Sequence, residues 1–198
     1  SDEFVNSKGV VSNYNIFLKN PSSYAKNSSN FEDDENYDLY GTIKLDSSFP
    51  LQKKIDQYIH YLRPVASVRY SPNGNSDISS KDVLLNYDNV FSLNRIGTSD
   101  QVEGGDSLSM GLEFKRSDNL GTDIFDFKIA NVLKSKENSK LPTKSKLNKT
   151  RSDFFGSLNY NFNKNLKFGY DFSYDRDLEY SNLEGLNVGL NLNNVFTD

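Results

Sequence analysis

The chain has no cysteine and no tryptophan, and His60 is its single histidine. Without cysteine there are no disulfides and no thiolate metal sites, and the compartment is left open. With one histidine, a hydrolytic site built on histidine with serine or aspartate partners has a single candidate base. No apolar run is long enough for a transmembrane helix, and no signal peptide begins at Ser1. Basic excess is lacking too: the net charge is −4 and the pI about 5.1, so no case for nucleic-acid binding arises. Hydrophobic residues make up 35% of the chain and the mean hydropathy is −0.68, which looks too polar for a membrane protein. A barrel strand, however, spends only alternate positions on lipid.

What is present is alternation. Leu108, Met110, Leu112 and Phe114 point one way while Ser107, Ser109, Gly111, Glu113 and Lys115 point the other. The same two-faced pattern predicts strands over 37–49, 59–70, 107–116, 123–133, 152–162, 166–175 and 183–193, with a weaker candidate from Val10 to Leu18. These seven are expected to pair sequentially and antiparallel. The outer, lipid-facing set is expected to include Leu108, Met110, Leu112, Phe114, Phe168, Tyr170 and Phe172. The fourteen Phe and twelve Tyr suit such a band and its interfacial girdles. Helical periodicity over several turns is absent.

The connections sort by parity: long at about 19–36, short at 50–58, very long at 71–106, short at 117–122, long at 134–151, short at 163–165 and medium at 176–182. Outer-membrane barrels sort their loops in this way, with short periplasmic turns and long outer loops, whereas a soluble sandwich has no reason to. The fold class read here is therefore all-β: antiparallel transmembrane β-barrel strands, about eight in a meander, forming part of a larger outer-membrane barrel. The chain stops at Val195-Phe196-Thr197-Asp198 without the terminal aromatic residue common in such barrels. Residues 1–198 read as an excerpt of one barrel domain, the alternative being a complete eight-stranded barrel.

The run from Leu62 to Asn73, and then from Asn86 to Gly105, carries a more specific pattern. A strand holding Pro64 leads through Tyr70 and Pro72 to a loop with Asn89, Phe91, Arg95, Gly97 and Asp100, and then to a strand with Gly111 in its middle. Downstream stand Asn138-Ser139-Lys140-Leu141-Pro142 and Lys149-Thr150-Arg151-Ser152-Asp153. In order and spacing this resembles the barrel domain of the LptD family of LPS-assembly proteins, from about Tyr40 to Asn193. Gln101 stands where that family usually has Arg, and the disulfides of many members have no counterpart here.

The resemblance implies transport and assembly of lipopolysaccharide, not enzymatic turnover, in the outer membrane of a Gram-negative cell. It implies a barrel of about 26 strands that inserts lipopolysaccharide into the outer leaflet. The implied partners are a plug lipoprotein of the LptE type and periplasmic Lpt bridge proteins that dock through an amino-terminal domain outside this chain. No cofactor, metal or nucleic acid is implied. A different outer-membrane barrel, a barrel lipid hydrolase and a soluble adhesin-like β domain stay open as alternatives.

Two residue groups stand out. Asn89, Phe91, Asn94, Arg95, Gly97, Asp100, Glu103, Gly104 and Gly105 are expected to pin the 71–106 loop against or into a lumen: glycine permits close approach, Arg95 pairs with Asp100 or Glu103, and Phe91 anchors on the wall. Lys134, Lys136, Lys140, Lys144, Lys146, Lys149 and Arg151, against the single local acid Glu137, form a basic loop able to attract the anionic groups of lipopolysaccharide, or merely a solvated one. Glu32-Asp33-Asp34-Glu35 lacks the alternate spacing of a calcium loop and reads as a soluble tip. His60, at the start of a strand, reads as satisfied or interfacial.

Overall fold

The computed structural model describes residues 2–20, 22–24, 35–37, 39–72, 77–97, 102–179 and 181–191. Twelve strands are found among them: β1 (Asp2–Val5), β2 (Val11–Lys19), β3 (Ser22–Tyr24), β4 (Glu35–Tyr37), β5 (Tyr40–Ser48), β6 (Leu51–Ile55), β7 (Tyr58–Ser71), β8 (Gly105–Asp118), β9 (Asp123–Leu133), β10 (Phe154–Asn161), β11 (Leu166–Tyr174) and β12 (Ser181–Leu190). Ten of these form one antiparallel sheet in the order β1-β2-β5-β7-β8-β9-β10-β11-β12, with β6 also on β7. The remaining pair, β3 and β4, makes a two-stranded sheet.

All seven expected strands are present among the described residues and pair in sequence, although Tyr37 falls in β4 and residues 38, 192 and 193 of the expected spans lie outside the described ones; the weak candidate from Val10 to Leu18 is β2. Two expectations are corrected. The connection 50–58 is mostly strand: β6 continues the line of β5 along β7 and turns only at Asp56 and Gln57. Pro50 has no N–H for the ladder, so pairing breaks at 49–50, although the Phe49 N–H still reaches the Pro64 carbonyl at 3.1 Å. With β1 and β6 the meander exceeds the eight strands expected. The long connection after β2 also holds β3 and β4. Of the acidic run, residues 32–34 lie outside the described residues.

Register sorts the side chains. Pairing of Gly111 with Val65 and Ala130, and of Ala130 with Phe155, puts those residues on one face together with Ser107, Ser109, Glu113, Lys128, Ser157 and Asp171. The described parts of the connection 72–104, and the connection 134–153, fold back over this face. The other face carries Leu62, Val68, Leu108, Met110, Leu112, Phe114, Phe127, Ile129, Phe168, Tyr170, Phe172, Leu186 and Val188, and the buried cluster of the loops lies on the opposite side. Several of these stand open, among them Val68 at 53% and Leu186 at 64% exposure. On a soluble sheet such a face would be a liability; in a bilayer it is the required surface.

Glycine is needed at two mid-strand positions, one on each face. A Cβ on Gly111 would stand 2.7 Å from the Phe91 ring, which lies on the loop-covered side. On Gly156 it would stand 2.1 Å from the Lys128 carbonyl and 2.8 Å from the Phe172 ring, which covers that glycine from the open side.

Arginine in place of Leu112, at the middle of the open apolar face, is expected to cost about 2 to 4 kcal/mol of barrel stability. Heat-modifiability and assembly of the Leu112→Arg protein measure this. Unchanged folding would mean that the face does not meet lipid.

Candidate functional site: a loop plug on the polar face

Loop 72–104 begins its return with a short helix, α1 (Tyr87–Val90), fixed by a reciprocal cap. The Asn89 N–H donates to Asn86 Oδ1 and the Asn86 N–H to Asn89 Oδ1, both at 2.9 Å. Asn89 also donates its amide to the Leu84 carbonyl at 3.0 Å. This capping box satisfies two orphan donors at the N-terminal end of a helix of a single turn. The helix buries Tyr87 and Val90 and brings Phe91 down onto Gly111. Ile78, Leu85, Tyr87, Val90 and Ile96 of this loop then join Leu141 and Leu147 of the 134–153 loop, and Ala130, Val132 and Phe155 of the wall, in one buried cluster. The loops are also stitched directly: Ile78 N–H to Lys140 carbonyl at 2.9 Å, Leu85 N–H to Ser145 Oγ at 2.8 Å, and Lys144 to Asp82 at 2.7 Å.

At the centre lies Glu103, 1% exposed. Arg95 grips it with two parallel bonds, Nε to Oε2 at 2.6 Å and one terminal nitrogen to Oε1 at 2.7 Å. The same guanidinium donates to Ser109 Oγ at 2.9 Å and Ser107 Oγ at 2.8 Å on β8. Lys134, at the exit of β9, reaches Glu103 at 2.6 Å, and Arg69 of β7 stands 3.8 Å away while donating to the Leu93 carbonyl at 3.3 Å. Burial by itself pushes the Glu103 carboxyl up. Arg95, Lys134 and Arg69 outweigh it and hold the group well below the usual carboxylate range. For Lys134, burial wins over Glu103 and lowers the ammonium.

Of the residues singled out in sequence, the structure brings Asn89, Phe91, Arg95 and Glu103 into the plug. Asn94 accepts the Gly97 N–H at 3.3 Å in the turn behind Arg95. Gly97 and Gly105 take positive φ, +71° and +95°, and Gly104 is buried. Asp100 lies outside the described residues. Arg69, Ser107 and Ser109 were visible only as polar-face residues; cross-strand register is what gathers them.

The basic loop is corrected in one member. Lys134 is not on an exposed loop: its side chain is 5% exposed, because Glu103 draws it into the plug. Lys136, Lys140, Lys144, Lys149 and Arg151 are exposed. Lys149 meets Glu137 at 3.1 Å, and Lys146 lies 3.6 Å from Asp153 and 3.7 Å from Asp175. Acids distant in sequence thus offset a field that looked unopposed. Asp153, fully buried, is pushed up by burial against the pull of Asn182 and Lys146.

Below the plug the polar face stays hollow, with a cavity of about 520 Å³ lined by Lys44, Asp46, Arg63, Glu113 and Lys128 among others. Arg63 and Glu113 pair across β7 and β8 at 2.7 and 2.6 Å. His60 is on the opposite, open face, with its ring 6.0 Å from that of Phe114. Among the described residues no three histidine, cysteine or acidic side chains gather as metal ligands.

A sheet with one lipid-suited face and one polar face filled by its own loops is the wall of a transmembrane barrel. The chain belongs to the LptD family, described as LPS transport system D, whose profile matches residues 10–196. None of the curated proteins matches it. The strands are accordingly part of an outer-membrane β-barrel, and the family's work is lipopolysaccharide transport and assembly at the outer membrane, a role in transport and not a known enzymatic one.

Because Glu103 is depressed, the stability it contributes is full above the ordinary carboxylate pKa of about 4.3 and is lost only as pH falls through its lower folded value. Protease protection of loop 72–104 is therefore expected to stay flat from about pH 8 to pH 5. Glu103→Gln is expected to unseat the loop by about 3–5 kcal/mol, since it strands buried cations. Unchanged cleavage rates in that variant, at neutral pH, would refute the assignment.

Proposed function

We propose that this chain forms a stretch of barrel wall in an outer-membrane exporter that inserts lipopolysaccharide into the outer leaflet, and that its two long loops seal the lumen from the outside. The observation that carries this is the joint plug: two loops from neighbouring hairpins share one apolar core and one buried ion cluster on the polar face. Both leave the sheet at the same end, the end opposite the tight turns at 56–57, 119–122 and 163–165, so the long-loop rule puts the plug at the extracellular side. A pore large enough for a lipopolysaccharide would otherwise leak. Loop residues Asn89, Phe91, Asn94, Arg95, Gly97, Glu103, Gly104 and Gly105 serve as the seal's pins.

The hollow below the plug is polar and mixed in charge, and a second one lined by Gln52, Tyr61, Arg63, Glu113, Lys115 and Asp126 continues it toward the short-turn side. This supports entry of a lumen partner from the periplasm, as an LptE-type lipoprotein would require, with bridge proteins delivering lipopolysaccharide through a domain outside this chain. The exposed members of the basic loop, Lys136, Lys140, Lys144, Lys149 and Arg151, with the half-buried Lys146, face the side on which lipopolysaccharide accumulates, and we assign them to its anionic groups.

Arg95→Ala removes both bonds to Glu103 and those to Ser107 and Ser109 while leaving the lipid-facing wall untouched. The variant is expected to raise sensitivity to large antibiotics and open loop 72–104 to protease in intact cells, at normal barrel levels. Wild-type values for both would show that the loop is not pinned by Arg95.

A further inference from the structure

On β5 and β7 to β9 the charged residues of the inner face are paired, whereas those of the outer face of β6 to β8 have no ionic partner among the described residues. On the inner face Lys44 meets Asp46, Arg63 meets Glu113, Lys115 meets Asp123 and Lys128 meets Asp126. On the outer face, register lines up Lys53 of β6, His60 of β7 and Arg116 of β8 side by side in one row. No carboxylate is paired with any of the three among the described residues. Arg116 lies with its guanidinium carbon 3.7 Å over the Tyr58 ring, and its Nε is buried without a hydrogen-bond partner. The aromatic chain Phe114, Phe125, Tyr160 and Phe162 continues from the same level around the sheet.

The height of the row fits a membrane interface. From His60 to Tyr70, whose partner Asp106 also faces outward, is ten residues, about 34 Å along the strand. At a tilt near 40° that is about 26 Å along the membrane normal, the height of a barrel's apolar band. Between the two rows the outward positions of β7 and β8 are Leu62, Pro64, Ala66, Val68, Leu108, Met110, Leu112 and Phe114, all apolar. Lys53, His60 and Arg116 thus stand at the boundary on the short-turn side, where the outward acid Asp118 accepts the Leu120 and Thr122 N–H groups of its turn, and the outward acids Asp106 and Glu184 stand toward the long-loop side.

We propose that Lys53, His60 and Arg116 form a binding row for the phosphate of an anionic phospholipid in the leaflet at the short-turn end. Lys53 supplies a point charge, Arg116 a planar fork held against Tyr58, and His60 a ring N–H in either protonation state. The flanking aromatics take the glycerol and upper acyl region. Lipopolysaccharide is excluded as the occupant by level, because its phosphates lie at the other interface. The inference rests on the membrane placement given under the proposed function.

The test uses the full-length protein reconstituted in bilayers, with one fluorophore on Ile55→Cys, which lies on the outer face beside the row. Quenching by brominated phosphatidylglycerol is compared with quenching by brominated phosphatidylcholine. Preference for the anionic lipid is expected, falling about fivefold for each cation removed in Lys53→Gln and Arg116→Gln and retained in Arg116→Lys. Equal quenching by both lipids in the parent, or a preference that survives the double variant, overturns the headgroup site while leaving the membrane placement intact. A preference abolished by millimolar inorganic phosphate marks an adventitious anion and also overturns it. Absence of quenching by either lipid overturns the membrane placement itself.

Discussion

Glu103 is a buried carboxylate that four segments must meet at once: its own loop through Arg95, β7 through Arg69, β8 through the serines that hold Arg95, and the exit of β9 through Lys134. A charge in such a place is tolerated only when its partners arrive in good geometry. Each segment's position is therefore conditional on the others. Such clusters contribute less to net stability than to uniqueness of arrangement. The apolar side of the plug supplies the driving force, since fully burying Ile78, Leu85, Val90, Leu141 and Leu147 is worth roughly 1.5 to 3 kcal/mol for each of the larger side chains. Apolar contact alone would accept many loop conformations; the Glu103 cluster selects one.

The wall treats its two faces as different solvents. Inside, on β5 and β7 to β9, cations and carboxylates pair, as expected where water and loop groups are present to satisfy what the pairs leave over. Outside, the band between Leu62 and Val68 on β7 and between Leu108 and Phe114 on β8 has no charge at all. Gly111 and Gly156 mark the same division in miniature. Each leaves room for an aromatic ring against the backbone, Phe91 from the lumen side and Phe172 from the lipid side.

Much of this was legible in the chain because a strand's period of two is set by geometry and not by context. The seven strong strands, the outward set from Leu108 to Phe114, and the parity of the connections follow from that period. Arg95 and Phe91 were legible as members of the family's loop pattern, and Glu103 as one of two acids, with Asp100, that Arg95 could pair with. Less legible was β6, because the break at Phe49-Pro50 looks like a turn when it is only an interruption of the ladder. Lys134 was misjudged for another reason. Its sequence neighbours are basic and polar, and the carboxylate that buries it is 31 residues away; local charge patterning is blind to such a partner. The same holds for Arg69, Ser107 and Ser109, whose alternation gives the face but not the neighbours.

The contacts of the plug also constrain when it forms. Its core takes Ala130 and Val132 from β9 and Phe155 from β10, and the bond between Leu85 and Ser145 spans 60 residues. Closing a loop of that size costs chain entropy before any contact offsets it. The hairpins of β6 and β7, of β8 and β9, and of β10 and β11 can each zip from a short turn without the plug. The two loops can dock only after β9 and β10 have brought their shared floor together. The buried charges reinforce this order, because Glu103 stays solvated until Arg95 and Lys134 are both within reach. The wall is thus a prerequisite for the plug, and loosening the plug does not require the wall to yield.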